Sequence, residues 1–393
     1  MKHILSHILP SLLLLSPAMM SGATITETLA EIERNNLSLR AAAAENEAAE
    51  LEMRSDNTLP ATSVEYSPFF RSGIDGVASS ELVVSQEFDF PTLYASRSRQ
   101  ASLEREALDS KSAVERRDML LQARETLLKL VLLNRERDIL DRRFSDSSML
   151  LEAYKRSLEL GKATLLELNR VKLEHEDMKR EILQNDADRA ALTATLRRLN
   201  ADRPLDLTGL DYDIPAEDLM VLPGIEAILQ ADPAVLAAEA DVKAARQSVS
   251  VARSGWLPSI TLGYRRNTEE KESANGFLAG ISLQLFGTPA KTRAAKARLN
   301  AGMLRLEAAR AEAESSIAES IAALQIQTAT LATYDLSLME ETLTLYRKSL
   351  DAGQISLTTY YTETTLLYDR MLTRVRLEDT IRQTLSRLTA NLL

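Results

Sequence analysis

The residue types that most often carry chemistry are scarce in this 393-residue chain. It has no cysteine. That removes disulfides, thiol nucleophiles and cysteine-type zinc sites, and with them lipid attachment through an N-terminal cysteine. Of three histidines, His3 and His7 lie in an apolar leader, and only His175, within RVKLEHEDMKR, lies beyond it. A single imidazole among charged helical neighbours reads as a solvated side chain, not as a base or ligand. The 57 acidic and 47 basic residues alternate at helical spacing, the pattern of solvated helix faces. No carboxylate cluster has metal-ligand spacing, and no Gly-rich phosphate loop or Ser-His-Asp set occurs. The expectation is a protein without enzymatic activity, cofactor or metal. A net charge of −10 with no basic block also argues against a nucleic-acid partner.

What stands out is repeated instead of reactive. YKRSLELGKATLLEL (residues 154–168) returns as YRKSLDAGQISLTTY (residues 346–360), 192 positions on. Leu59-Pro60 returns as Leu257-Pro258, and VVSQEFDFP (83–91) as ISLQLFGTP (281–289), each 198 positions on. One structural unit is therefore used twice, the second copy six residues shorter between strands and bend. Gly161 and Gly353 each end a helical run, which suits a left-handed C-terminal cap. Thr164 and Glu167 have the spacing of a capping box for the helix that follows.

The elements that position these bends follow from periodicity. Ile228, Val235, Val242 and Val249 are seven apart, as are Ala231, Ala238, Ala245 and Ala252, and Ala107, Val114, Leu121 and Leu128. Ile317, Leu324, Leu331, Leu338 and Leu345 hold the same step. Sustained heptads predict coiled-coil packing. Between Pro60 and Pro91, and again from Pro258 to Pro289, the pattern changes to alternation: Val64, Tyr66, Phe70, then Leu82, Val84, Phe88; and Ile260, Leu262, Tyr264, then Phe277, Ile281, Leu283, Leu285. These predict strands of about 9 to 12 residues, the length of a tilted membrane strand. They flank the loops RSGIDGVA and NTEEKESAN, with prolines at the four helix–strand junctions.

The predicted order is a secretory leader over 1–23; a first repeat over 24–202, with hairpin 61–90 and bend at 161; an equatorial linker over 203–224; and a second repeat over 225–393, with hairpin 258–288 and bend at 353. Single helices are expected over 27–57, 93–160, 164–200, 225–254 and 356–393. Helix 93–160 spans ~100 Å, and 164–200 plus 225–254 together span about the same. No segment is apolar enough for a transmembrane helix, so membrane entry requires strands. Four strands are too few to close a membrane barrel, whose smallest members have about eight. Copies of the chain must then pool them.

The duplicated LP turn, the strand pair with its Gln and closing Phe-x-x-Pro, and the Y-x-x-S-L-x-x-G-x-x-(T/S)-L bend resemble the TolC-like outer membrane factors over essentially the whole mature chain. The resemblance implies a homotrimer with a 12-stranded barrel in outer membrane lipid above a helical periplasmic tunnel. It implies a passive exit duct of a tripartite efflux pump, or of type I secretion. The partners would be a periplasmic adaptor (membrane fusion) protein and an inner-membrane transporter of the RND or ABC type. It places Leu160, Gly161, Lys162, Leu165, Ala352, Gly353, Gln354 and Leu357 at the periplasmic tip and adaptor contact. Glu167, Thr359, Tyr360, Tyr361 and Thr362 fall at the entrance aperture. The family often carries acids where Thr359 and Thr362 stand, which puts a carboxylate gate in doubt here. Glu167 stays open between gate and helix cap, and Tyr360 and Tyr361 between constriction and core packing. The rival reading is a soluble periplasmic coiled-coil adaptor or scaffold.

Overall fold

A computed structural model describes residues 24–73, 75–213, 225–269, 272–284 and 288–392. The predicted leader 1–23, linker residues 214–224 and Leu285 lie outside the described residues. The chain is mostly helical, with one antiparallel sheet of two hairpins. Strands β1 (Ser63–Phe69), β2 (Ser79–Phe88), β3 (Ser259–Glu269) and β4 (Glu272–Ser282) lie in the order β1-β2-β3-β4. Ser63 faces Ser85, Phe88 faces Ile260 and Ser259 faces Ser282, so all four helix-proximal strand ends share one edge of the sheet. Pro68 is tolerated because β1 is an edge strand.

Two strand expectations change. β1 has only 7 residues. In the second hairpin both strands run into the expected loop 267–275, because β3 is laddered on both sides and its polar residues Arg265 to Glu269 stay paired with β2.

Helices α1 (Ile25–Asn35) and α2 (Leu37–Ser55) lead into β1, and α3 (Pro91–Glu159) leaves β2. Its 69 residues span ~100 Å. After the first bend comes α4 (Leu165–Leu199). The second repeat has α5 (Ile225–Gln230), α6 (Pro233–Arg253), α7 (Thr288–Leu331), α8 (Leu336–Asp351) and α9 (Leu357–Leu388).

Two helices expected to be continuous, 27–57 and 225–254, are split, as is the heptad run from Ile317 to Leu345, each at a residue with helix-starting chemistry. Asn36 accepts from Leu39 N at 3.1 Å while its own amide donates to the Leu199 carbonyl at 2.9 Å. Asp232 accepts from Ala234 N at 2.8 Å ahead of Pro233, and Asp335 accepts from Leu338 N at 3.0 Å. A side-chain acceptor for the orphan N–H groups makes a restart cheap, so heptad continuity did not guarantee a continuous helix. Ile228, Val235, Val242 and Val249 are all buried despite their break. Leu338 and Leu345 are exposed, since α8 turns Met339 and Leu343 inward in their place.

Beneath the sheet, α2 packs on α3, α3 on α6 and α6 on α7, the order of the strands they continue. Farther down the order is α4, α3, α9, α8. Four apolar clusters lie along this layer, around Leu127 and Leu196, Ile228 and Ile381, Met371 and Leu372, and Tyr154 and Tyr360. Linker residues Leu205, Leu207 and Leu210 pack into the first.

Candidate functional site: the paired bends and the open sheet

The two bends lie side by side. Tyr154, Leu168, Val171 and Tyr360 share one buried cluster, with Tyr346, Leu350, Ile355, Leu357 and Tyr361 packed around it. Tyr154 and Thr358 join across 2.9 Å between their hydroxyl oxygens. Gly161 and Gly353 have φ of 69° and 68°, the left-handed caps the repeat implied. Leu160, Gly161, Lys162, Leu165, Ala352, Gly353 and Gln354 are exposed and Leu357 is half-buried. Leu166, which the sequence did not single out, is 80% exposed, giving the first bend three solvent-facing leucines.

Glu167 completes a capping box. Its carboxylate accepts from Thr164 N at 2.8 Å, and its own N–H donates to Thr164 Oγ1 at 3.2 Å. The Thr164 backbone N–H and then its hydroxyl hold the carboxyl below the usual glutamate range. At the second bend Ser356 is the cap, accepting from Thr359 N at 3.0 Å, and the exposed Thr362 donates back to the Thr358 carbonyl. Tyr360 is fully buried, and a side chain so enclosed packs the bend instead of projecting into an aperture. Tyr361 is half-buried, its ring 5.3 Å from the Arg170 guanidinium carbon.

Above the bends, buried Asp146 on α3 accepts from Tyr368 at 2.6 Å and from Tyr360 at 3.3 Å, and pairs with Arg347 of α8 at 3.1 Å. Near the equator, Tyr212 of the linker sits between the guanidinium groups of Arg135 and Arg382, 4.6 and 4.0 Å from its ring centre. Its hydroxyl faces Asp379 at 3.5 Å, whose carboxyl is pushed up to about 6 by burial. Neither group was signalled by spacing, because their members are 76 or more residues apart across the Asp146 and Tyr212 contacts. His175 is half-buried, not solvated, stacked on Phe144 at 4.7 Å with Nδ1 3.3 Å from the Ser147 hydroxyl. Among the described residues no group of three or more His, Asp or Glu side chains could hold a metal ion.

The sheet has two unlike faces. Along the register, Val64, Val84, Tyr264 and Phe277 form one row; Gln86, Leu262 and Ala279 share a second, Phe88, Ile260 and Ile281 a third, and Tyr66, Leu82, Arg266 and Asn275 a fourth, all on the same face. Phe277 is 96% exposed, with Val64, Tyr66, Leu262 and Ile281 also bare. The other face carries Glu65, Glu81, Ser85, Glu87, Thr261, Gly263, Arg265, Gly276 and Gly280 with Phe69, Val83 and Leu278 among them, and includes an Arg265–Glu81 ion pair. Among the described residues β1 and β4 have no outer neighbour. Pro60, Pro91, Pro258 and Pro289 all sit where helix and strand meet. The repeated glutamine has a role in the first copy: Gln86 Nε2 donates to the Pro60 carbonyl at 2.7 Å, pinning the LP turn. No described helix is long and apolar enough to cross a membrane.

Residues 224–392 match the family model described as outer membrane efflux protein. A comparison with curated proteins finds no match. Among solved structures the chain is similar to CusC, studied for transmembrane channel formation, at 17% identity and TM-score 0.77, over 94% of this chain and 91% of that one. It is similar to the outer membrane protein VceC of Vibrio cholerae at 16% and 0.74, over 94% of both chains. It is similar to the CmeC outer membrane channel of Campylobacter jejuni at 14% and 0.74, over 93% and 85%. The chain thus has the fold of these outer membrane channel proteins, and the family match falls on residues 224–392.

Proposed function

We propose that the chain is the outer membrane exit duct of a tripartite efflux pump. The observation that carries this reading is the four-stranded sheet with one mainly apolar exposed face, one mainly polar face and, among the described residues, two free edges. An apolar face of that extent needs lipid, and free edges in lipid need partners. Three copies supply twelve strands, with the polar face lining the lumen. Because every helix leaves the sheet from the same edge, the helices form a tunnel on the periplasmic side. Six bends then surround the far mouth. Leu160, Lys162, Leu165 and Leu166, with Ala352 and Gln354, are the surface offered there to a periplasmic adaptor, which couples the duct to an inner-membrane transporter. The duct is passive and the transporter supplies the energy.

The test contrasts the two faces. Ile260→Asp, Leu262→Arg and Ile281→Asp should abolish outer membrane assembly, whereas Thr261→Asp should be tolerated. A charge at the bilayer midplane costs about 2–4 kcal/mol on a barrel's lipid side. Normal assembly of all four variants, or recovery of the mature chain as a soluble monomer, would favour a periplasmic adaptor or scaffold.

A further inference from the structure

Resting on the duct reading, we infer that the helices beneath the sheet carry a band that binds anionic phospholipid headgroups of the periplasmic leaflet. Its cations are Arg99, Arg246, Arg253, Arg293 and Lys296, with Trp256 at the upper rim, and all six side chains are exposed. Arg253 closes α6 where it meets the sheet, Arg293 lies ~8 Å down α7, and Arg99, Arg246 and Lys296 lie ~10–12 Å down their helices. The polar layer of a bilayer is about 5–8 Å deep on each side, and a long basic side chain bridges the rest.

A recess on the opposite side of the helices fixes the side these residues occupy. Glu87, Ser259 and Ser282 of the mainly polar sheet face line it together with Arg97, Ala252 and Lys291. In the duct it therefore opens to the lumen. Each residue turns a helix by about 100°. Arg99 and Arg293, two residues after Arg97 and Lys291, thus stand on nearly the opposite side of α3 and α7. Arg246, Arg253 and Lys296 are turned about 100–140° from the recess by the same count. The band continues the apolar sheet face, the one that meets lipid.

The charge of the band is unanswered within the chain. Among the described residues none of its five cations forms an ion pair. Glu106, seven residues after Arg99, and Glu239, seven before Arg246, share their side but are already taken, by Lys243 at 2.8 Å and Arg310 at 2.6 Å. Trp256, the only tryptophan of the chain, lies in the short turn between α6 and β3 and is 63% exposed. An indole has an apolar body and one N–H donor, so it settles where acyl chains meet headgroups. An indole at the rim with guanidinium groups below it matches a phospholipid from ester to phosphate. Continuity with the lipid-facing sheet favours a membrane surface over an acidic protein as the occupant.

The single tryptophan makes the test direct. Mature trimers are reconstituted in phosphatidylcholine vesicles containing increasing amounts of brominated phosphatidylglycerol or brominated phosphatidylcholine, and quenching of Trp256 fluorescence is read. At low salt, half-quenching should need about tenfold less of the anionic lipid. The preference should vanish in ~1 M salt, where charges are screened beyond about 3 Å. Arg99→Gln, Arg246→Gln, Arg253→Gln, Arg293→Gln and Lys296→Gln together should abolish it. Lys291→Gln with Arg298→Gln, seven residues apart on the lumen side of α7, should leave it unchanged. The wild-type comparison decides the matter even where the fivefold variant does not assemble. Equal quenching by both lipids in wild-type trimers overturns the band and leaves the duct reading standing. Loss of the preference in the Lys291 and Arg298 variant, with the fivefold variant unaffected, overturns it equally. Chains that never insert as trimers overturn both readings.

Discussion

Tyr368 on α9 donates its hydroxyl to Asp146 on α3 across 2.6 Å, a contact between residues 222 positions apart. Tyr360 and Arg347 converge on the same carboxylate, so α3, α8 and α9 are tied at one buried point above the bends. Burial, then Asp146 itself, pushes the Tyr360 hydroxyl up to about 12. Asp146→Ala strips three partners at once and should cost about 3–5 kcal/mol. Tyr368→Phe leaves Tyr360 and Arg347 in place and should cost about 1 kcal/mol. Thermal unfolding of the purified assembly measures both; equal costs would mean that Asp146 is not the hub.

The bend glycines are held by conformation, not by crowding. A β-carbon at Gly161 or Gly353 would meet no atom within 4 Å. Gly161→Val or Gly353→Val should therefore cost about 1–2 kcal/mol through positive φ alone, leave trimers intact and impair export. Asparagine at the same sites should be milder, because it enters the left-handed region more readily. Wild-type export from both valine variants would remove the bends from the entrance.

Glu167 can be separated into cap and gate. Thr164→Ala and Glu167→Ala each break the capping box and should destabilise the first turn of α4. If capping is the whole role, the two variants should have matching single-channel conductance. A conductance change confined to Glu167→Ala would identify a gate.

Asp379 predicts a pH dependence. Its carboxyl rises from 3.8 to about 6 in the folded chain, first through burial. The folded state thus holds the proton more tightly than the unfolded one. The resulting stabilisation is complete below pH ~4 and lost as pH rises through about 6. Asp379→Asn should gain about 1–2 kcal/mol over wild type at pH 7.5 and nothing at pH 3.5, since each unit is worth 1.36 kcal/mol and the site keeps some solvent. Melting curves across that range would show a pH-independent difference if burial at Asp379 is not the cause.

Much of the architecture was legible before any coordinates. Repeated bends, alternating hairpins and the long run of α3 are local periodicities, and they survive packing because a heptad or a two-residue alternation commits a whole face at once. The splits at Asn36, Asp232 and Asp335 were legible too, in capping residues that heptad counting overrode. Asp146 with its tyrosines, and Tyr212 between two arginines, gave no such sign.

From the chain of letters alone came the doubled unit, the two bends and the strand pairs, because each is written in spacing along one segment. Tertiary structure decided which helices lie at the edges, that Tyr360 is enclosed while Leu166 is bare, and which carboxylate gathers the tyrosines. Those outcomes depend on how helices far apart in sequence rotate against one another to bury their apolar stripes, and that rotation is a property of the packed layer and of no single stretch within it.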